Sequence, residues 1–286
     1  MTFSLSIKRY LKRLLINRTF TVLKGNLKGI KLIISPFLNA SVIWKNYEPD
    51  KQMALKIFGK ELPNFFDIGA NVGLHSLLMA KQFPQHTIFA IEPLPENFDY
   101  LKKVVQLNDF KNVRLLQSAC GATNGEIFFS EGETTLQGHI TQDNTALKVQ
   151  IATLDSIIEK CNMLPSLIKI DVEGAEIDVL EGFTENIAKA NPVMIIELHN
   201  PRQDRLVADF LIRHDYTIYR LKSNVDDIVA ECMLQPIPNL MSTWPDPEGV
   251  WGSIVAIPIS KMQNYEYMID RQTSKLSGSV NLTRER

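Results

Sequence analysis

The sequence predicts an α/β fold in which helices cover both faces of a mostly parallel sheet. From residue 64 onward, short apolar strand patterns alternate with helical patterns, as in chains built from βαβ units. The strand patterns, such as FFDIG and VMIIEL, are almost continuously apolar, as expected for strands buried on both faces. A chain of 286 residues without an internal repeat is long enough for one large α/β domain.

The order of the elements follows from periodicity and turn residues. Residues 20–35 alternate around Gly25-Asn26 and predict a β-hairpin, and residues 48–59 predict a short helix. The strand–helix series begins with the strand FFDIG and a helix from Gly73, followed by the strand TIFAIE and a helix through Phe98, Leu101 and Val104. The strand VRLLQSA, two short strands around 126–129 and 148–152, and a helix at 153–161 come next. The series ends with the strand LIKID and a helix over 175–190, the strand VMIIEL and a helix over 203–214, and the strands YTIYRL and WGSIVAIP.

These elements predict three parts: an N-terminal helix and hairpin over 1–45, the main domain over 46–260, and a flexible polar tail over 261–286. Residues 222–250 form one long connection, and connections of this length are often functional. Trp244 in this connection is a candidate for stacking on a sugar ring, whereas Trp251 at a strand start is better explained as core.

Charge is distributed unevenly along the chain. Nine of the 31 basic residues and none of the 32 acidic residues lie in the first 47 positions. Ile7, Leu11, Leu14 and Leu15 fall at helical spacing opposite the basic residues, which predicts a basic amphipathic helix. Such a helix either packs on the domain with a solvated basic face, the interpretation we favour, or makes a peripheral contact with an anionic membrane.

Cysteine usage and the N-terminal pattern predict a cytoplasmic protein. Cys120, Cys161 and Cys232 are far apart and form no C-x-x-C motif, which is typical of a reducing compartment. Lys8 and Arg9 interrupt any apolar segment of the signal-peptide type.

The segment DIGANVG, residues 67–73, lies where the first strand of the series meets its helix. Gly69 suits a tight turn, Gly73 allows close approach to a ligand, and Asn71 tolerates left-handed φ. Glu92 follows at the end of the next strand, where an acid can bind the hydroxyls of a ribose. Because the second and third glycines of the dinucleotide pattern are absent, the segment favours S-adenosylmethionine over NAD, with Asp67 near the amino group of the cofactor.

Five ordered segments resemble the FkbM family of S-adenosylmethionine-dependent methyltransferases: DIGANVGLHS, AIEPLPENFDYLKKVVQLN, TLDSII, IKIDVEGAEIDVLEG and PVMIIELH. The resemblance covers about residues 46–220 and implies a class I methyltransferase fold with a seven-stranded sheet. It also implies methyl transfer, typically to a hydroxyl oxygen of a glycan or a specialised metabolite. The predicted cofactor-binding residues are Asp67, Gly69, Asn71, Gly73, Glu92 and, near the adenine, Ser118.

Four ionisable residues are predicted to line the reaction site. In the fold that the resemblance implies, Asp171 and Glu173 follow one strand, and Glu197 and His199 end the neighbouring strand. Their side chains should therefore meet beside the methyl-bearing sulfonium, whose positive charge would offset the burial of Asp171.

The identity of the catalytic base stays open at this point. His199 is a candidate because its ordinary pKa leaves it largely neutral at pH 7, and Glu173 or Glu197 could orient it or act as the base. A divalent metal bound by Asp171, Glu173 and Glu197 is a third option that we rank below direct base catalysis.

Three neighbouring residues are left out of the predicted site. Glu176 is explained by its place at a helix start, Lys169 by a strand edge or an ion pair, and His75 by packing or the helix surface.

Two other functions share the predicted fold. A nucleic-acid amino-methyltransferase would usually carry a [DNS]-P-P-[YF] segment where this chain has DVEG, so no nucleic-acid partner is expected. A non-catalytic binding module is disfavoured because Asp67 and Glu92 are both present. The sequence therefore predicts an O-methyltransferase acting on a small-molecule or glycan substrate.

Overall fold

The computed structural model describes residues 17–35, 47–131, 138–141, 147–199, 201–222, 233–237 and 252–269. These residues form a large sheet of eight strands, a smaller sheet of four strands and a two-stranded hairpin. The strands are β1 (Thr19–Thr21), β2 (Lys31–Ile33), β3 (Asn64–Ile68), β4 (Thr87–Ile91), β5 (Val113–Leu116), β6 (Ala119–Cys120), β7 (Gly125–Glu131), β8 (Gly138–Thr141), β9 (Leu147–Ala152), β10 (Leu167–Ile170), β11 (Val193–Leu198), β12 (Tyr216–Leu221), β13 (Leu234–Pro236) and β14 (Gly252–Pro258).

The helices connect the strands of the large sheet and pack on both of its faces. They are α1 (Pro49–Phe58), α2 (Leu74–Gln82), α3 (Pro95–Leu107), α4 (Leu154–Cys161), α5 (Glu176–Glu181), α6 (Ile187–Ala190) and α7 (Pro201–Arg213). Apolar residues of α4, α5 and α7 share a buried cluster with one face of the sheet, and those of α1 and α2 share a cluster with the other face.

The large sheet has the strand order β13-β12-β14-β11-β10-β3-β4-β5. The five strands from β11 to β5 are mutually parallel, and β14 is antiparallel to both β11 and β12. The predicted seven strands are therefore present. The eighth, β13, comes from the long connection after β12 and pairs with it at the edge of the sheet.

Side-chain alternation along the central strands determines which residues reach the site. Leu167 and Lys169 of β10 point to the face covered by α1 and α2, whereas Ile168 and Ile170 belong to the cluster on the opposite face. In the sheet register, Lys169 lies beside Asp67 of β3. The polar residues at the carboxyl ends of these strands therefore collect on the α1 side.

Two predicted elements are divided in the structure. VRLLQSA forms β5 and then β6, which leaves the large sheet and pairs with β9 in the smaller one. The predicted helix over 175–190 is split into α5 and α6, because the Asp155 carboxylate accepts hydrogen bonds from the backbone N–H groups of Glu185 (2.9 Å) and Asn186 (3.0 Å). These bonds hold the connecting loop in a non-helical conformation.

The hairpin predicted at residues 20–35 is present and packs on the main domain. Strands β1 and β2 are antiparallel, and Val22, Ile30 and Leu32 are buried in the same cluster as residues of α2 and α3. The Tyr100 hydroxyl donates a hydrogen bond of 2.8 Å to the Ile33 carbonyl. The basic helix predicted within residues 1–16 lies outside the described residues.

The predicted polar tail begins later than residue 261. Two 3-10 helices, Ile259–Asn264 and Glu266–Met268, follow β14, and the side chains of Tyr265 and Met268 are buried in the core. Residues 270–286, like Trp244, lie outside the described residues. Among the described helices, none is long and apolar enough to cross a membrane.

Candidate active site

The turn between β3 and α2 is held in left-handed backbone conformations at Gly69 (φ 75°), Asn71 (φ 52°) and Gly73 (φ 84°). A Cβ atom on Gly69 would lie 1.9 Å from the carbonyl oxygen of Asp171, so glycine allows the turn to contact the end of β10. A Cβ atom on Gly73 would lie 2.2 Å from a methyl group of Leu101. The close approach expected between Gly73 and a ligand is thus already made by a side chain of α3.

Asp67 lies beneath this turn with a fully buried side chain. One carboxylate oxygen accepts a 2.6 Å hydrogen bond from the Ser76 hydroxyl, and the other lies 3.3 Å from the ammonium of Lys169. The first oxygen is hydrogen-bonded, whereas the second lies within ion-pair distance of Lys169 but accepts no hydrogen bond from the described residues. Direct contact between Asp67 and the amino group of a cofactor stays a prediction, whereas the observed contacts link Asp67 to α2 and β10.

Glu92 occupies the carboxyl end of β4 and is buried. Its carboxylate accepts hydrogen bonds from the backbone N–H groups of Asn71 (2.8 Å) and Leu94 (3.0 Å) and from the Asn97 side-chain amide (3.4 Å). Burial raises the pKa of Glu92 to about 7, although these hydrogen bonds oppose the rise. The carboxylate is thus fixed in position beside the turn of residues 69–73.

Ser118 lies just beyond β5 and is buried, close to the predicted adenine side. Its hydroxyl donates to the carbonyl of Ala119 (2.7 Å), with the carbonyl of Gln150 3.4 Å away. The proton of the hydroxyl is therefore used by the protein, and only its oxygen could still accept a hydrogen bond from a ligand. Its role at the adenine stays a prediction.

The residues around Glu92 suit S-adenosylmethionine. The side-chain oxygen of Asn97 is buried and lacks a hydrogen-bond partner among the described residues. It is part of the amide that donates to Glu92, so two acceptors lie next to each other at the end of β4. The hydroxyls of a ribose are donors that would satisfy such acceptors, because buried polar atoms are normally hydrogen-bonded.

A cluster of side chains, mainly carboxylates, lies at the carboxyl ends of β3, β10 and β11, beside the turn. We call it the acidic crevice. Its carboxylates each lie within ion-pair distance of Lys51, Lys169 or His199, and they are Glu48, Asp67, Asp171, Glu173, Glu176 and Glu197.

Lys169 links the turn to this crevice. Its side chain is 4% exposed, and its ammonium lies 3.3 Å from Asp67, 3.2 Å from Asp171 and 3.3 Å from the Gly69 carbonyl oxygen. Burial by itself would lower the pKa of Lys169, but the neighbouring carboxylates outweigh it and raise that pKa. Lys169 is therefore an ion-pair lysine, one of the two expectations for it, in a central strand.

Lys51 of α1 is a second buried cation of the crevice. Its ammonium contacts the Glu197 carboxylate and lies 3.0 Å from Glu48 and 3.7 Å from Asp171. Burial raises the pKa of Glu197, and repulsion from Asp171 adds to the rise while Lys51 opposes it. For Asp171 burial is outweighed by Lys169, Lys51 and His199, which hold its pKa below the usual range.

The expectation that a sulfonium offsets the burial of Asp171 is therefore corrected. A cofactor sulfonium is not needed to offset its burial, because two lysines and a histidine already surround it.

His199 follows β11 and contacts three acids that follow β10. Its Nδ1 lies 2.9 Å from the buried carboxylate of Glu176, while its Nε2 lies 3.7 Å from Asp171 and 3.6 Å from Glu173. Burial would lower the pKa of His199, but the Glu176 hydrogen bond and the nearby carboxylates raise it to about 9. The expectation of a neutral imidazole at pH 7 is wrong for the protein without ligands.

The structure brings the four predicted catalytic residues together. Asp171 and Glu173 lie near one nitrogen of His199, and Glu197 reaches the same crevice through Lys51. Glu173 adopts a left-handed conformation, with φ of 54°, in the loop that turns the chain from β10 into α5.

Sequence reasoning missed four residues of this crevice. Glu176 was assigned to helix-start electrostatics, yet its side chain is 1% exposed and contacts His199. Lys169, Lys51 and Glu48 were absent from the predicted site. A signal for Lys51 exists in the sequence, because it shares the helical stripe of the buried residues Leu55 and Phe58.

His75 lies on α2 at the side of the crevice, and its side chain is buried. Its Nε2 lies 3.4 Å from Glu48. Burial, with the charge of Lys169, lowers the pKa of His75 to about 3, so this imidazole is neutral. His75 therefore packs against the wall of the crevice, as expected.

Within the part of the chain that the structure describes, two sets of side chains bring their ligand atoms close enough to share a metal ion: Asp171, Glu173 and His199, and Glu48, Asp171 and Glu197. The predicted set of Asp171, Glu173 and Glu197 is not one of them. Lys51 contacts all three carboxylates of the second set, so its ammonium supplies the positive charge there.

The strand order of the large sheet is that of a class I methyltransferase. Residues 67–220, more than half of the chain, match the model of the methyltransferase FkbM domain. The chain therefore belongs to the FkbM family of S-adenosylmethionine-dependent methyltransferases, as the five sequence segments predicted.

Similar proteins come from several organisms. Methyltransferase 1 of Beauveria bassiana is 27% identical over 170 residues, covering 51% of this chain and 68% of that protein. The hexuronic acid methyltransferase AglP of Haloferax volcanii is 28% identical over 138 residues, covering 47% of this chain and 55% of that protein. A crystal structure of methyltransferase FkbM from Methylobacillus flagellatus has a TM-score of 0.45 and 18% identity, covering 68% of this chain and 43% of that one.

Proposed function

We propose that this chain transfers the methyl group of S-adenosylmethionine to a hydroxyl oxygen of a carbohydrate or a similar specialised metabolite. The observation that carries this proposal is the pairing of His199 with Glu176. The 2.9 Å contact at Nδ1 fixes the imidazole and leaves Nε2 directed into the acidic crevice, near Asp171 and Glu173.

The chemistry of methyl transfer to oxygen explains why such a pair is useful. S-adenosylmethionine, when bound, supplies a methyl group activated by a positive sulfonium. A hydroxyl is a weak nucleophile at neutral pH, so a base within hydrogen-bond reach must take its proton as it reacts. A neutral amine acceptor has no such need, and a held imidazole therefore favours oxygen over nitrogen as the acceptor atom.

In this proposal His199 is the base and Glu176 the residue that orients it. Glu176 is positioned for this role because its carboxylate also accepts a 2.9 Å hydrogen bond from the Gly174 N–H. The arrangement matches the logic of the hydrolase triads, where a carboxylate holds the histidine through Nδ1 and Nε2 takes the proton. Glu197, fixed by Lys51, would accept hydrogen bonds from the acceptor molecule.

The crevice also suits a positively charged methyl donor. Six carboxylates against Lys51, Lys169 and a protonated His199 leave a formal excess of three negative charges. A sulfonium brought into this environment is attracted to it. The same sulfonium repels the imidazolium charge, so cofactor binding should lower the pKa of His199 toward neutrality.

The nature of the acceptor is supported by one relative. The Haloferax volcanii protein is named as a hexuronic acid methyltransferase, which makes a carbohydrate a reasonable class of acceptor for this chain. The choice of a hydroxyl as the methylated group rests on the pairing of His199 with Glu176 instead. That relative shares 28% identity over 138 residues, so the inference extends to the class of acceptor and no further.

The test is a screen of sugars and hydroxylated metabolites with methyl-labelled cofactor, followed by NMR of each labelled product. We expect a methyl ether. A label found on nitrogen or carbon in every product would contradict the proposal. For a productive acceptor, Glu176→Gln should lower the methylation rate measured at saturating S-adenosylmethionine, whereas Glu159→Gln, an exposed position on α4, should leave this rate unchanged.

A further inference from the structure

The first turn of α1 and the two residues before it form one wall of the acidic crevice. Tyr47, Glu48 and Lys51 lie N-terminal to residues 67–220, which match the family model. Lys51 connects this wall to Glu197 on β11, and Glu48 lies 3.4 Å from His75 on α2. The wall is thus contributed by residues that precede the segment matched by the family model.

Glu48 is held firmly in this wall. It precedes α1 in a left-handed conformation, with φ of 43° and ψ of 62°, and its carboxylate lies 3.0 Å from the Lys51 ammonium. A glutamate in this conformation carries a backbone cost that the surrounding contacts must offset. The outcome is a carboxylate directed to the crevice at a fixed place.

The ions of the crevice differ in exposure. The side chains of Lys51 and Lys169 are 5% and 4% exposed, whereas those of Glu48 and Glu197 are 25% and 26% exposed. These two lysines therefore lie deeper than Glu48 and Glu197, although the Glu48 oxygen that contacts Lys51 is itself buried. An arriving molecule meets carboxylate oxygens, which accept hydrogen bonds from hydroxyl groups and repel anions.

The nearby imidazole does not change this charge. His75, the titratable group of α2 closest to Glu48, is neutral, so it provides no positive charge to an anionic acceptor. Even with the charge of a sulfonium and a protonated His199, the crevice keeps an excess of carboxylates.

We infer that Glu48 is a specificity-determining residue of the acceptor site and that it selects an uncharged polyhydroxylated ring over the corresponding anionic one. This inference rests on the proposed function, since it assigns the charge class of the acceptor for the same reaction. Glu48 would accept hydrogen bonds from ring hydroxyls, and its negative charge would reject a carboxylate, sulfate or phosphate attached to the ring.

The experiment compares matched pairs of sugars that differ by one charge. Methyl hexosides of the gluco, galacto and manno series are tested against the methyl hexuronides that carry a C6 carboxylate. Binding to the protein loaded with S-adenosylhomocysteine is measured by saturation-transfer NMR, and methylation is measured with labelled S-adenosylmethionine. Wild type is compared with Glu48→Gln and with Glu61→Gln, an exposed residue beyond the far end of α1 that gives the same change in net charge.

We expect at least one hexoside to bind at least tenfold more tightly than its hexuronide. Glu48→Gln should reduce this preference at least severalfold, and Glu61→Gln should leave the preference intact. Equal or better binding of the hexuronides, an unchanged preference in Glu48→Gln, or no binding of any hexoside would each overturn the inference.

Failure of this inference is distinguishable from failure of the proposed function. Methylation of an anionic hydroxyl compound that depends on His199 would leave the O-methyltransferase proposal standing and reject the role of Glu48. Methylation of a hexoside that does not depend on His199 would reject the proposed base while the charge preference could still be observed.

Discussion

Removing the charge of Glu176 tests the central electrostatic feature of the site. The pKa of His199 is raised from 6.5 to about 9, which corresponds to about 3 kcal/mol in favour of the imidazolium. Glu176 makes the hydrogen bond, and a hydrogen bond to a charged group contributes about 1.5–3 kcal/mol. Glu176→Gln keeps the hydrogen-bonding shape and should therefore lower the pKa of His199 by at least about one unit.

The assay is an NMR titration of the imidazole signals, with His199→Gln used to assign the resonance among the five histidines of the chain. A pKa in Glu176→Gln within a few tenths of the wild-type value would refute the reasoning. A comparison of two ligands provides an independent test, because S-adenosylmethionine carries the sulfonium charge and S-adenosylhomocysteine does not. The former should lower the pKa of His199 more than the latter.

The same pKa fixes the sign of a pH effect on stability. A histidine with a raised pKa in the folded protein stabilises it fully below the unfolded value of 6.5, and this contribution is lost as the pH rises through about 9. As the pH is raised from 6.5 to about 9, thermal unfolding should therefore show that the wild type loses stability relative to His199→Gln. Parallel curves for the two proteins would contradict this prediction.

Three further predictions follow from other contacts of the site. Lys169→Met leaves Asp67 and Asp171 without their buried cation and should destabilise the fold by about 3–5 kcal/mol in chemical unfolding, with the exposed Lys189→Met near zero; a small effect would show that the ion pairs contribute little. Gly69→Ala places a Cβ atom 1.9 Å from a carbonyl oxygen, so calorimetry should detect at least tenfold weaker binding of S-adenosylmethionine; an unchanged affinity would show that the turn does not position the cofactor. Because the proposed base is a side chain, treatment with EDTA should leave turnover unchanged, and activity that is lost and then restored by Mg²⁺ would contradict a metal-free mechanism.

The fold and the adjacency of the ends of β10 and β11 were predictable because they follow from local patterns. Apolar strands alternating with helices indicate a parallel sheet, and ligands of such sheets bind at the carboxyl ends of the strands. The order of strands implied by the family resemblance then placed Asp171 beside Glu197 and His199. The register of β10 with β3 and β11 confirms that neighbourhood.

The missed residues depend on contacts that no local pattern contains. Lys51 meets Glu197 across 146 positions of sequence, and its partner cannot be identified from spacing. Glu176 has a sufficient local explanation as an acid in the first turn of α5, which concealed its second role. Its inward direction depends on the left-handed conformations of Glu173 and Gly174, which the sequence does not specify.

The pKa of His199 was also beyond the sequence. Its ordinary value predicted a neutral base, but three carboxylates that follow β10 surround the ring at the end of β11. Only their arrangement in space shows that the imidazole begins protonated.

The most direct measurement of the central claim is the single-turnover rate of methyl transfer at saturating S-adenosylmethionine in wild type, His199→Ala and His86→Ala. His86 lies between α2 and β4, stacked on Phe83, and serves as the control histidine. The proposed mechanism predicts that His199→Ala loses roughly 10²–10⁴-fold in rate while binding the cofactor normally, because a general base contributes that much. Wild-type turnover in His199→Ala would contradict the assignment of the acidic crevice as the methyl-transfer site.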